Sequence, residues 1–235
     1  MPTVMTFAQA CDAVYALKPE LPGYDLVGFD PSTSGFYGAF QAAAFQNQSE
    51  LIVCFKGTTP SRAGDIVADI KLGMGSNTTH FARGGAFLER LDTAGRNVTL
   101  CGHSLGGAIA QIVGNRYRKP FITFNAPGVA IMSRNIGEMM TSPLVGVRIL
   151  GTVGSVVRHP VQAWQDASSL GYSVKGVNFR LGKDVVGIIG VHYGKVLEIP
   201  YGGGALDIGA KHMMTTVLTA LETSVYRNRD VNSFY

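Results

Sequence analysis

Short apolar runs alternate along this chain with stretches in which apolar residues recur every three or four positions. The runs at 51–55, 98–101 and 121–124 predict strands, and the first is continuously apolar, as in strands buried on both faces. Helical periodicity at 108–117 separates the last two runs and gives a strand–helix–strand order. The pattern therefore predicts an α/β fold, with a mostly parallel sheet flanked by helices.

Further elements are predicted on either side of this unit. Thr6 is expected to cap a first helix, on which Phe7, Cys11, Val14 and Tyr15 share one face. The remaining predictions are a strand at 36–45 that turns through 47–49, a helix at 81–91, strands at 177–181 and 196–199, and a final helix at 213–225.

The stretch from about 130 to 172 does not follow this alternation. It is apolar, irregular and longer than an ordinary loop. Two interpretations stay open, additional core structure or a cap over an apolar pocket. With 235 residues, of which 46% are hydrophobic, the chain is expected to form a single domain over 1–235 with this segment as an insertion.

Charge and cysteine content narrow the function classes. The net charge is +4, the basic residues are scattered, and no aromatic–basic array is present, so no nucleic-acid binding is expected. Weak, transient contact with an anionic membrane surface is compatible with this charge. Three widely spaced cysteines imply neither a disulfide framework nor a metal knuckle, and Cys54 and Cys101 lie in apolar runs, which predicts buried thiols. We expect no cofactor and no metal.

The first residues lack the basic and apolar regions of a signal peptide, and no apolar run approaches the length needed to span a bilayer. We therefore expect synthesis in the cytoplasm without a signal peptide. Any export would then use a non-classical secretion system.

The strongest local motif is Gly102-His103-Ser104-Leu105-Gly106, which has the form G-x-S-x-G. The motif indicates a nucleophile only where a strand precedes it and a helix follows it. Both elements are predicted here, at 98–101 and 108–117. Small residues at the two glycine positions would leave room for a tight turn that presents the Ser104 hydroxyl.

The stretch 98–108 resembles the nucleophile region of the class 3 lipases, the fungal triacylglycerol lipase-like family. Residues 53–58 resemble the family's oxyanion loop, and 123–128 resemble the strand after the nucleophile helix in bacterial members. The resemblance extends from about 51 to 128 and is patchy from 178 to 221. It implies an α/β-hydrolase-like fold and a serine esterase or lipase that forms an acyl-enzyme, without a cofactor.

The rest of the machinery follows from the chain order of that fold, which is serine, acid, histidine. His212, near the final helix, is the expected general base, with His192 second and His159 third. Asp184 is the expected orienting acid, by resemblance to a strand that ends in Asp-x-Val; Asp166 and then Asp207 are the alternatives.

Two backbone N–H groups are expected to form the oxyanion hole. One belongs to Leu105, which follows the nucleophile, and the other to Thr58, by resemblance to the oxyanion loop. Asp65 and Asp69 are expected to cap or tether a helix rather than to act in chemistry.

The expected substrate is a lipid or other carboxylic ester, either a phospholipid or a neutral glyceride. One alternative is a secreted antibacterial lipase toxin with an immunity protein; toxicity on periplasmic expression that Ser104→Ala abolishes would support it. A second alternative is a catalytically inactive protein that uses a hydrolase scaffold to bind a lipid or protein partner. A fluorophosphonate probe distinguishes that alternative from an active enzyme. A peptidase is a third alternative, which the resemblance to class 3 lipases argues against.

Overall fold

The computed structural model describes residues 1–31, 40–58, 78–129, 175–182, 184, 186–202 and 208–235. Within these ranges, seven strands form one sheet. The strands are β1 (Asp25–Asp30), β2 (Ala42–Gln46), β3 (Glu50–Phe55), β4 (Asn97–His103), β5 (Phe121–Phe124), β6 (Gly176–Leu181) and β7 (Lys195–Ile199). The described helices are α1 (Val4–Ala13), α2 (Thr78–Glu89), α3 (Leu105–Tyr117), α4 (Ile208–His212) and α5 (Met214–Glu222), followed by a 3₁₀ turn at Val231–Phe234.

The strands lie in the sheet in their chain order. Strands β1, β2 and β3 pair antiparallel, and β3 to β7 pair parallel. The carboxyl ends of neighbouring parallel strands lie at one edge of the sheet. In α/β proteins the binding and catalytic residues are usually located at this edge. The prediction of an α/β fold with a mostly parallel sheet is confirmed.

Both faces of the central strands are buried. Along β3, Leu51, Val53 and Phe55 pack on the side of α2 and α3. Ile52 and Cys54 point to the opposite side, toward α1 and α5. Side chains alternate between faces along a strand, so a continuous apolar run supplies two core layers at once.

Thr3, rather than Thr6, caps α1. The Thr3 hydroxyl accepts a hydrogen bond from the backbone N–H of Thr6, and Thr6 Oγ1 accepts one from the backbone N–H of Thr3. This reciprocal pair is a capping box. The helix therefore begins at Val4, three residues earlier in the chain than it would with Thr6 as the cap. The predicted inward face is confirmed for Phe7, Cys11 and Val14, which are buried.

The two ends of the chain lie together. Thr3 and Asp230 form an antiparallel bridge, and the backbone N–H of Val4 donates to the carbonyl of Arg229 at 3.1 Å. Helix α1 packs beside α5 on the same face of the sheet. The N-terminal helix is therefore an integral part of one core layer.

Several element boundaries differ from the prediction. The predicted strand at 36–45 starts only at Ala42, and 32–39 lie outside the described residues. The predicted helix at 213–225 is shorter, since the extended backbone of Met213 separates α4 from α5 and α5 ends at Glu222. Strand β1 was not predicted. The segment at 130–172, with its core or cap interpretation, lies outside the described residues, as do Asp65 and Asp69.

Among the helices that the structure describes, none is long and apolar enough to cross a membrane.

Candidate active site

Ser104 lies in the turn between β4 and α3, at the carboxyl edge of the sheet. Its backbone angles are φ 56° and ψ −128°, a region that L-residues rarely adopt. The turn is fixed on both sides, because the Ser104 N–H donates to the Phe124 carbonyl and the Ser104 carbonyl accepts from the N–H groups of Gly107 and Ala108. The strand and the helix required by the G-x-S-x-G motif are both present.

The motif glycines are needed because backbones approach one another closely. A Cβ atom on Gly102 would collide with the backbone of Gly106, and one on Gly106 would collide with the carbonyl of Phe55. Gly57, after β3, is equally confined: a Cβ there would lie 2.6 Å from the His103 carbonyl oxygen and 3.0 Å from Ser104 Cβ. The loop after β3 therefore lies directly beside Ser104.

His212 and Asp184 are in contact below this turn. His212 Nδ1 lies 3.1 Å from Asp184 Oδ1, and both side chains are buried, at 3% and 0% exposure. The other carboxylate oxygen, Oδ2, accepts the N–H of Gly187 at 2.6 Å. A carboxylate only accepts, so Nδ1 carries the proton and the Nε2 lone pair of a neutral ring is free. The structure brings together the histidine and the acid that the sequence predicted first.

Two buried atoms at this position have no hydrogen-bond partner. They are Ser104 Oγ and His212 Nε2, and the only other such side-chain atom in the described ranges is Arg96 Nε. Buried polar atoms without partners are rare in folded proteins and require an explanation.

Asn125 fixes the backbone that carries His212. Its side-chain amide donates to the Lys211 carbonyl at 2.9 Å, and its side-chain oxygen accepts the N–H of Leu181 at 2.9 Å. Asn125 thereby joins the end of β6, three residues before Asp184, to the end of α4. The sequence analysis did not find this residue; its position directly after β5 is the only signal that could have indicated it.

His103 and Tyr15 form a second connection to the same backbone. His103 Nε2 lies 2.5 Å from the His212 carbonyl oxygen, and His103 Nδ1 lies 3.0 Å from the Tyr15 hydroxyl. The Tyr15 hydroxyl also accepts the N–H of Gly57 at 3.2 Å. Burial, with a smaller contribution from the charge of His212, lowers the pKa of His103 to about 3. The sequence analysis assigned neither residue a role in the site and placed Tyr15 on the inward face of the first helix, which ends before it at Ala13.

The remaining predicted residues are placed as follows. Thr58 comes directly after Gly57, which lies against Ser104, and Leu105 is the first residue of α3 and the chain neighbour of Ser104. His192, the second choice for the base, donates from Nε2 to the Ala126 carbonyl at 2.8 Å, and burial lowers its pKa to about 4. His159, Asp166 and Asp207 lie outside the described residues.

The three cysteines meet on the α1 side of the sheet. Cys54 and Cys101 are register neighbours on β3 and β4, and Cys11 Sγ lies 3.7 Å from Cys54 Sγ. All three thiols are free and fully buried, with ligand atoms within 4.8 Å of one another, and they are the only such group of metal-ligand side chains among the described residues. The prediction of buried thiols for Cys54 and Cys101 is confirmed.

Known proteins that are similar in sequence to part of this chain include a phospholipase and a putative lipase. The extracellular phospholipase A1 of Serratia liquefaciens is 28% identical over 110 residues, covering 46% of this chain and 34% of that protein. A putative lipase of Debaryomyces hansenii is 42% identical over 45 residues, covering 19% of this chain and 7% of that protein. The matches thus span about a third of the length of one relative and less than a tenth of the other.

Solved structures with a similar outline include two fungal lipases. The triacylglycerol lipase of Penicillium expansum has a TM-score of 0.45 and 13% identity, covering 88% of this chain and 86% of that chain. A fungal lipase–inhibitor complex, described as a model for interfacial activation, has a TM-score of 0.41 and 12% identity, covering 74% of this chain and 66% of that chain.

The family model that matches this chain is that of the Tle-like phospholipase domain, described as phospholipase-like, and it covers residues 6–148. This range is more than half of the chain and contains most of α1, the loop after β3, Ser104 and Asn125. The resemblance to lipases predicted from the sequence is thereby confirmed. The chain belongs to the Tle-like phospholipase domain family.

Proposed function

We propose that this protein is a serine hydrolase that cleaves a carboxylic ester of a lipid through an acyl-enzyme. Ser104 is the nucleophile, His212 the general base and Asp184 the acid that orients it. One observation carries the proposal: Ser104 Oγ and His212 Nε2 are buried without partners, while His212 Nδ1 is occupied by Asp184.

The protonation state of His212 fits the role of a base. A serine hydroxyl is a weak nucleophile near neutral pH, and it needs a neighbouring group to accept its proton. With the Nδ1 proton directed at Asp184, the Nε2 lone pair is the acceptor. As the hydroxyl oxygen attacks the ester carbonyl, the proton moves to Nε2, and the buried carboxylate stabilises the imidazolium that forms.

The second half of the reaction returns this proton. The tetrahedral intermediate collapses, the ester C–O bond breaks, and the alcohol leaves with the proton from His212 Nε2. A water molecule then attacks the acyl-enzyme, with His212 again accepting a proton. The fatty acid is released and the Ser104 hydroxyl is restored.

The backbone N–H groups of Leu105 and Thr58 are proposed to stabilise the oxyanion. Leu105 is the first residue of α3, and N–H groups in the first turn of a helix have no partner within the helix. Thr58 follows Gly57, whose own N–H is already donated to Tyr15, so the next N–H along this loop is the one proposed to face the reacting carbonyl. Loss of one such donor typically reduces kcat about 10²- to 10³-fold.

A phospholipid is the proposed substrate class. The support comes from the phospholipase domain family and from the phospholipase A1 of Serratia liquefaciens, which aligns over 110 residues. Neutral glycerides and short esters are the competing substrates, and a comparison of rates decides among them.

The test is hydrolysis of a short and a long p-nitrophenyl ester and of phosphatidylcholine vesicles. Wild type is compared with Ser104→Ala, His212→Gln and Asp184→Asn. We expect Ser104→Ala and His212→Gln to lower kcat about 10⁴-fold or more, because nucleophile and base act as one unit. The rate on vesicles relative to the short ester identifies the substrate class.

His192→Gln is the matched control for His212→Gln, because His192 donates a hydrogen bond to the Ala126 carbonyl and lies outside the proposed machinery. It should retain activity within about twofold of wild type. A folded wild type that hydrolyses none of these esters and resists a fluorophosphonate probe would instead indicate an inactive binding protein. The antibacterial-toxin role, the immunity protein and the export route remain predictions of the sequence.

A further inference from the structure

The Tyr15 hydroxyl occupies an unusual position between two parts of the proposed machinery. On one side it accepts the N–H of Gly57, which directly precedes Thr58. On the other side it lies 3.0 Å from His103 Nδ1, and the opposite ring nitrogen contacts the His212 carbonyl. One tyrosine and one histidine therefore connect the loop after β3 to the backbone of the proposed general base.

Each hydrogen bond in this connection has a defined direction. A carbonyl oxygen only accepts, so His103 Nε2 carries the proton that is donated to His212. His103 Nδ1 is then an acceptor, and the Tyr15 hydroxyl donates to it. The lone pair of the same hydroxyl accepts the Gly57 N–H. All donors and acceptors along this path are satisfied, and the path permits only one tautomer of His103.

We propose that Tyr15 and His103 are positioning residues for ester hydrolysis, which set the oxyanion loop and the general base at a fixed separation around Ser104. The inference rests on the proposed function. It adds a role for the variable position of the G-x-S-x-G motif and for a residue outside that motif, 88 positions earlier in the chain.

Tyr15 is itself held in place by neighbouring contacts. The side-chain amide of Gln41 donates to the carbonyls of Val14 and Ala16, on both sides of Tyr15. The Lys56 ammonium donates to Gln41 Oε1 at 3.1 Å and lies 5.5 Å from the centre of the Tyr15 ring. A hydroxyl on such a fixed ring can define the position of a loop, whereas a mobile one could not.

The loop residue is equally constrained. A Cβ on Gly57 would lie 2.8 Å from the Tyr15 hydroxyl and 2.6 Å from the His103 carbonyl oxygen, so the loop is already at its closest approach. Donation of the Gly57 N–H to Tyr15 fixes the orientation of that peptide unit. The position of the following N–H, that of Thr58, then depends on the Tyr15 hydroxyl.

His103 does not compete with His212 for the role of base. Both of its ring nitrogens are engaged, one by Tyr15 and one by a carbonyl. Its ring lies 4.8 Å from that of His212, centre to centre, and burial keeps it neutral. A second positive charge would oppose the imidazolium that His212 forms during the reaction, so a neutral ring is the form that suits this position.

The experiment measures kcat and KM for a soluble p-nitrophenyl ester with Tyr15→Phe and, as the matched control, Tyr226→Phe. Both changes remove one hydroxyl, and Tyr226 packs against Phe179 and Phe234 in the core, outside the site. We expect Tyr15→Phe to lower kcat about 10- to 100-fold with KM within about twofold of wild type, because displaced catalytic groups slow the chemical step. Tyr226→Phe should retain the wild-type kcat.

Two variants of His103 separate positioning from general support of the fold. His103→Gln can place an amide N–H near the former Nε2, and we expect it to keep most of the donation to the His212 carbonyl. His103→Leu removes the donor, and its kcat should fall at least as far as that of Tyr15→Phe. In the double variant Tyr15→Phe/His103→Leu, the losses should not add, because the two residues act through one path.

The outcomes distinguish this inference from the proposed function. An inactive, unlabelled wild type contradicts the proposed function. An active wild type together with a Tyr15→Phe variant that matches Tyr226→Phe, or with equal activities of His103→Gln and His103→Leu, overturns the positioning role alone. Circular dichroism and the urea unfolding midpoint of each variant verify that folded enzymes are being compared.

Discussion

At the scale of single residues, Ser104 has a backbone conformation that serine adopts only with strain. With φ 56° and ψ −128°, it lies in a region that glycine reaches readily, and such strain typically costs about 1–3 kcal/mol. We predict that Ser104→Gly is more stable than Ser104→Ala by about 1 kcal/mol, although both lack activity. Urea unfolding of the two variants measures the difference. Equal midpoints would show that the surrounding structure relaxes when the hydroxyl is removed.

Asn125 is the second residue with a measurable individual role. Its side chain satisfies one donor and one acceptor in the buried backbone on both sides of the proposed acid and base. Asn125→Ala leaves the Leu181 N–H and the Lys211 carbonyl without partners, and we expect a loss of about 2–4 kcal/mol in the free energy of unfolding. Asn125→Asp keeps the acceptor for the Leu181 N–H but places a buried carboxylate oxygen against the Lys211 carbonyl, so it should destabilise the fold at least as much as Asn125→Ala. The prediction fails if Asn125→Ala unfolds at the wild-type denaturant concentration.

At this scale the sequence predicts those residues that belong to a motif or that follow from the chain order of serine, acid and histidine. Ser104, Asp184 and His212 are indicated in this way, and the structure places the latter two in contact. Tyr15, His103 and Asn125 act through backbone carbonyls and N–H groups of residues 42 to 109 positions away. Hydrogen bonds to distant backbone leave no periodic pattern, so the sequence alone gave no signal for them.

At the scale of elements, α1 covers one face of the sheet. The three cysteines are buried where this helix, which carries Cys11, packs on the strands that carry Cys54 and Cys101. Burial raises the pKa of the Cys11 and Cys54 thiols, whereas hydrogen bonds with these two side chains outweigh burial at Cys101 and lower its pKa to about 6. A thiol reacts through its thiolate, but all three side chains are fully buried, so a reagent has no access to any of them. We predict that none of the three reacts with a thiol reagent faster than the protein unfolds. Titration with a chromogenic disulfide should give no signal in buffer and three equivalents in denaturant. Rapid labelling of the folded protein would show that α1 opens locally.

Element prediction succeeded where burial on both faces controls the sequence. Strand β5 was predicted with its observed bounds, and the predicted cores of β3, β4, β6 and β7 were each correct to within one or two residues. Strand β1 was missed because it pairs on one side only, its residues are partly exposed, and its ends are aspartates. The helix starts were misplaced where a cap decides them, as at Thr3, since a hydrogen bond between two threonines has no hydrophobic signature.

At the scale of the whole molecule, one buried histidine, His103, and one partly buried histidine, His192, make stability depend on pH. Burial lowers the pKa of His103 from 6.5 to about 3 and that of His192 from 6.5 to about 4. Between these values and 6.5 the unfolded chain binds protons that the folded chain does not, so the free energy of unfolding must fall as the pH falls. Each histidine contributes up to about 1.4 kcal/mol per pH unit in that window.

Urea midpoints measured at about pH 7 and about pH 5 test this prediction. We expect a lower midpoint at the acidic value for wild type and a smaller decrease for His192→Gln, which removes one of the two titrating groups. A midpoint that is constant over this range would show that the two rings are accessible to protons in the folded state.

The bridge between Thr3 and Asp230 bears on whether the order of the elements along the chain could be changed. Because the first and last elements are already neighbours, a short peptide could join them, and the fold could be reopened at another surface point. Gln48 and Ser49, exposed in the turn between β2 and β3, lie far along the chain from Ser104 and are a suitable place. In such a circular permutant β3 would come early in the chain and α1 would follow the former C-terminus. Ser104, Asp184 and His212 would keep their order along the permuted chain. Tyr15 would then come after all the other residues that surround the site.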